Sequence, residues 1–164
     1  MRYFLRVRTA VLRGDFSDMT ATDLHVEASL SELARIRARI RSAAGTLGVE
    51  PAAIGGLVQV VDEWVTNVIV HGYRGAAGEV HIHVDREGED IVVRIRDSAP
   101  VFDPATAPAI DPDLPLEQRP LGHVGIALIR ELCTVFDHRA LPDGGNEVTL
   151  RRPTAAAGHK GAAT

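Results

Sequence analysis

The chain has 164 residues, 45% apolar and 24% charged, with a formal net charge of −4. That is enough for one domain with a proper core and too little for two ordinary ones. The acidic balance, without a dense Lys/Arg block, argues against nucleic acid or an anionic membrane as the main partner. A lone cysteine, Cys133, excludes an internal disulfide and a cysteine-rich metal site, and suits a reducing cytoplasm.

The opening MRYFLRVRTAVLRGDF is basic and mildly apolar, but it lacks the long apolar core and small-residue cleavage site of a signal peptide. Residues 1–18 are expected to form a flexible extension ahead of a single domain over 19–153. The small, patternless tail at 154–164 is expected to be disordered. No stretch of the sequence reads as the roughly 20 apolar residues of a membrane span.

LHVEAS (24–29) alternates apolar and polar, as a half-buried strand does. Ser31 reads as a helix start. Leu33, Ile36, Ile40 and Leu47 then recur at helical spacing, and Gly48 is the stop. Pro51 sits where a first helical turn tolerates proline, and a long helix is expected to run to about His71, where GYRGAAG breaks it. VHIHVDR (80–86) and IVVRIRD (91–97), joined by EGED, form an antiparallel hairpin. Residues 98–121 are rich in proline and have no periodicity, so they are expected to be a functional connection of the lid kind. Val124 to Phe136 reads as one amphipathic helix with Cys133 as a small buried hydrophobe. A PDGG turn (142–145) then leads into the closing strand NEVTLRR. This order gives an α+β fold, a two-layer sandwich with a mostly antiparallel sheet covered by helices on one face.

Three segments carry candidate chemistry. In VDEWVTNVIVHGYRG (61–75), Glu63, Asn67 and His71 are spaced i, i+4, i+8 and so share a helical face. A carboxamide there suits Mg²⁺, which takes oxygen ligands and shares its shell with phosphates. A carboxylate one turn away can orient or deprotonate an attacking hydroxyl. Spacing alone also fits a merely solvated helix face. Asp97, ending a strand before a loop, can accept from an adenine amine, or simply start a turn. In RPLGHVGIALIREL (119–132), Gly122 and Gly125 at a helix mouth let backbone N–H groups approach a phosphate, and Arg119 can add charge.

In this order and at these separations the segments resemble the GHKL, or histidine kinase-like, ATPase superfamily with its Bergerat-type site. Within it they are similar to the anti-sigma-factor serine kinases. VDEWVTNVIVHGY resembles the E-x-x-x-N box, DSAPVFDP the first glycine box, and RPLGHVGIALIREL with GGNEVTLRR the second glycine box and final strand. The resemblance covers about residues 24–152. It implies ATP and Mg²⁺ as cofactors, with Glu63 the catalytic base, Asn67 the Mg²⁺ ligand and Asp97 the adenine reader. His71, Tyr73, Ala99, Phe102, Arg119, Gly122, His123, Val124 and Gly125 would line the nucleotide pocket, His71 and Tyr73 shaping it. It also implies a cytoplasmic regulator that sequesters a sigma factor and phosphorylates a serine or threonine on an anti-anti-sigma antagonist of the STAS type. Relatives of this kind commonly act as homodimers. Two positions depart from the pattern: Ala99 stands where glycine is usual, and His123 follows Gly122 where the box often has a second glycine. If position 99 needs positive φ or a close backbone approach, a methyl costs affinity. These departures leave open a nucleotide-gated binding module without transfer, and, more distantly, a small hydrolase.

Overall fold

The computed structural model describes residues 22–101 and 123–156. The expected N-terminal extension, the lid beyond Val101 and the tail beyond Ala156 lie outside the described residues. Strands β1 (Thr22–Glu27), β2 (Glu79–Glu87), β3 (Asp90–Asp97), β4 (Val135–Ala140) and β5 (Asn146–Pro153) form one sheet in the order β1-β2-β3-β5-β4. Every neighbouring pair is antiparallel. Helices α1 (Leu33–Thr46), α2 (Pro51–Asn67) and α3 (His123–Leu132) complete the α+β architecture that the patterning implies.

Strand alternation decides which face is covered. Val80, Ile82 and Val84 of β2, Ile91, Val93 and Ile95 of β3, and Val148 and Leu150 of β5 are all at most 1% exposed. They pack with Ile36 and Ile40 of α1 and with Leu57, Val60, Val61, Trp64 and Val65 of α2. The alternate residues His81, His83, Arg94 and Arg96 point to the other face, which among the described residues carries ionic pairs instead of helices. Pro51–Tyr73 is in fact long and apolar enough, by composition, to cross a bilayer, contrary to the reading of the sequence. Its apolar side is the domain core, with Trp64 and Val65 at 2% and 0% exposure.

Local rules explain the helix ends. Ser29, not Ser31, is the first cap: its side chain accepts the Ser31 N–H and opens a single 3-10 turn, Leu30–Glu32, before α1. Gly48, at φ +74°, follows the end of α1, and Pro51 opens α2.

One element differs from the sequence expectation. The helix expected to reach Phe136 stops at Leu132, and Val135–Ala140 is an edge strand paired with β5. Leu132, Cys133 and Phe136 fall at spacings that extend the helical stripe, whereas VFDHRA is short, charged and mostly exposed, so its period-two signal is weak. Only Phe136 and His138 turn inward, where both rings meet Trp64. The chain also stays anchored past β5. Buried Thr154 donates its N–H and its hydroxyl to the Glu89 carbonyl, and the Ala156 N–H donates to Glu50 Oε2.

Candidate functional site

The α2 helix carries the first part of the site. Glu63 and Asn67 are one α-turn apart and both half-buried. The next segment, Val68–Tyr73, is π-helical. His71 lies in this π turn, which advances less per residue than the roughly 100° of an α-helix. Its side chain is exposed, and its carbonyl accepts from Arg74 Nε. The π turn closes on Tyr73, which is 7% exposed. The Tyr73 hydroxyl donates to the Glu79 carbonyl at 2.7 Å and accepts the Ser98 N–H at 2.8 Å. One phenol thus ties the end of this long helix to the start of β2 and to the exit of β3.

Glu63 meets α3. A Cβ on Gly125 would lie 2.5 Å from Glu63 Oε2, so the carboxylate rests directly against that glycine. A side chain there would displace Glu63, which is a physical reason for glycine at this point of the helix. The Asn67 amide nitrogen and Trp64 Nε1 are buried and have no hydrogen-bond partner among the described residues.

Asp97 ends β3 at 4% exposure. Its Oδ1 accepts the Ala99 N–H at 3.0 Å and the Asn146 Nδ2–H at 2.8 Å. Its Oδ2 is buried and has no hydrogen-bond partner among the described residues. Burial pushes this carboxyl above its ordinary range, against the Asn146 amide and the Ala99 N–H, which favour the ionised form. Asn146 is itself oriented from behind, since its Oδ1 lies 3.0 Å from His138 Nε2. Gly145, at φ +92°, lets the β4–β5 turn come so close that a Cβ would sit 2.1 Å from the Asp97 carbonyl.

Ala99, where the family pattern has glycine, is accommodated. Arg74 is the one non-glycine residue with positive φ among those described, so Ala99 needs no glycine backbone. Its methyl instead fills the place a side chain on Gly72 would take, 2.9 Å from that position. The alanine in the loop is matched by the glycine in the π turn.

The structure therefore joins Glu63 to Gly125, Asp97 to Ala99 and Asn146, and Ala99 to Gly72. Phe102, Arg119 and Gly122 lie outside the described residues, as do the side chains of His123 and Val124, whose backbone opens α3. The sequence reading missed Asn146 and His138. A signal was present: Asn146 shares strand parity with the core residues Val148 and Leu150, and it is the register partner of Asp97. A polar residue at an inward strand position needs a buried partner.

Residues 26–152 match the family described as histidine kinase-like ATPase domain. No curated protein matches the chain significantly. The fold is similar to a crystal structure of the RsbU and RsbW domains of a protein from Mycobacterium tuberculosis, with a TM-score of 0.52 and 18% identity. The match covers 80% of this chain and 32% of that one, so the chain spans about a third of its structural neighbour. An ATPase domain of this kind is a nucleotide-binding fold, and with the match running through α2, β3, α3 and β5, this chain belongs to the histidine kinase-like ATPase domain family.

Proposed function

We propose that this domain binds Mg²⁺·ATP and works as a regulatory serine/threonine kinase. It would sequester a sigma factor and phosphorylate a STAS-type anti-anti-sigma antagonist. The observation that carries the nucleotide half is Asp97 Oδ2, a buried acceptor that nothing among the described residues satisfies. A buried orphan of this kind costs about 1–3 kcal/mol. An adenine exocyclic amine supplies the missing donor, and the Asn146 and Ala99 contacts keep Oδ1 occupied so that Oδ2 faces the ligand. The partner half rests on the resemblance of the three motifs to anti-sigma-factor kinases.

In this reading the Asn67 amide, whose nitrogen is unpartnered among the described residues, turns its oxygen to Mg²⁺. Gly125 and the start of α3 present backbone N–H groups to phosphate. Bound ATP supplies the transferable phosphoryl group and Mg²⁺ neutralises its charge. Glu63, held against Gly125, accepts the proton of the acceptor hydroxyl. The alternative of a binding module without transfer rests on Ala99 and His123. The packing of Ala99 against Gly72 weighs against the first of those grounds.

The test is transfer from γ-labelled ATP to STAS-type antagonists by the wild type and by Glu63→Ala. Transfer by the wild type and none by the variant is expected, with nucleotide binding intact in both. Transfer at the normal rate by the variant contradicts Glu63 as the base. Binding without transfer to any acceptor leaves only the binding-module function.

A further inference from the structure

The face of the sheet opposite the described helices holds a cluster with different chemistry. His25 of β1 and His81 of β2 are register partners, and their rings stack with centroids 3.8 Å apart. Glu79, two residues before His81 and so on the same face, brings Oε2 to 3.0 Å from His25 Nε2. One ligand atom from each of His25, Glu79 and His81 lies within 4.8 Å of the others.

We propose that His25, Glu79 and His81 form a binding site for a borderline divalent transition metal of the Zn²⁺ class. Two imidazole nitrogens and a carboxylate oxygen are the donors such ions select, whereas Mg²⁺ and Ca²⁺ take oxygen alone. Three protein ligands leave a position open for water or a further donor. Glu27 is the register partner of Glu79 and lies two residues from His25, so a second carboxylate sits on the same face. Two carboxylates opposed across a ladder repel each other, and a bound cation relieves that repulsion.

The neighbouring charges are engaged elsewhere. Arg96, the register partner of His81, is bound to Glu147, and Arg35 to Glu32. His83, also on this face, is paired through Nδ1 with Asp23 at 2.8 Å. The cluster borders a shallow groove of about 680 Å³ lined by Asp23, His25, His81, His83, Arg96 and Glu147, among others, so it is reachable from solvent. Since β1 is, among the described residues, an edge strand bonded only to β2, a metal bridging the two strands clips that edge in place.

The experiment titrates Zn²⁺ into the full chain by calorimetry, follows the histidine imidazole signals by NMR, and records the melting temperature. Saturable one-to-one binding is expected, with shifts at His25 and His81 and a raised melting temperature. His25→Ala and His81→Ala are each expected to weaken it by at least about tenfold, and His83→Ala to leave it unchanged. All three side chains are solvent-accessible, so the variants keep the fold. Absence of saturable binding in the wild type overturns the site, and so does binding that survives when His25 and His81 are replaced together.

Discussion

Replacing Asp97 by asparagine separates the two consequences of its buried, half-satisfied carboxylate. The carboxamide oxygen of the variant can keep the hydrogen bonds from Ala99 and Asn146, which leaves its NH₂ at the place of the orphan Oδ2. An adenine amine then meets a donor instead of a charged acceptor. Hydrogen bonds to charged groups contribute about 1.5–3 kcal/mol. At about 1.4 kcal/mol per decade the ATP dissociation constant should rise roughly 10- to 150-fold. Guanine presents a carbonyl at the same edge, so GTP should lose little or nothing, and calorimetry with both nucleotides reads the difference. The same change acts on the free protein in the opposite sense. Asp97 has a folded pKa raised by burial, so the folded state holds a proton the unfolded chain has released, and stability falls as pH rises from 3.8 through the raised value. Asp97→Asn removes that slope, so relative to wild type it gains stability as pH rises above 3.8 through the raised value. An equal loss of ATP and GTP in a well-folded variant would refute the assignment of Asp97 to the base.

The remaining predictions probe the packing around this site and the ionic face. Gly72→Ala places a methyl 2.9 Å from that of Ala99 and should cost about 1–3 kcal/mol in denaturant melts. Ala99→Gly in the same chain should recover much of it, and a double-mutant cycle without coupling would disprove the contact. Burial raises the Glu147 carboxyl, but Arg96 and Arg139 overcome this and hold it below its ordinary 4.5. Its contribution is therefore complete above that pH and is lost as pH falls through the depressed value. Glu147→Gln should accordingly lower the melting temperature at neutral pH and converge with wild type in acid. Burial pushes the Cys133 thiol up to about 11, so iodoacetamide should leave it unmodified at pH 8 until the protein unfolds.

The hairpin β2–β3, the proline start of α2 and the order of layers were legible because each follows from one local rule: alternation, capping or turn chemistry. The candidate site was legible as motifs, but not as a geometry. The π turn at Val68–Tyr73 leaves no mark in hydrophobic spacing, which reads the segment as a plain continuation of α2. β4 was hidden because a short, exposed edge strand next to an apolar helix end extends the helical pattern by coincidence. The matching of Ala99 to Gly72, and the chain from Asp97 through Asn146 to His138, are contacts between segments distant in sequence. Local pattern carries no information about such pairs. Inward parity of Asn146 was the single clue available.

The most direct test of the central claim is calorimetric titration of ATP and ADP, with and without Mg²⁺, into the wild type and Asn67→Ala. Binding strengthened by Mg²⁺ is predicted for the wild type, with the Mg²⁺ dependence lost in the variant. A folded wild type that binds neither nucleotide at millimolar concentration would contradict it.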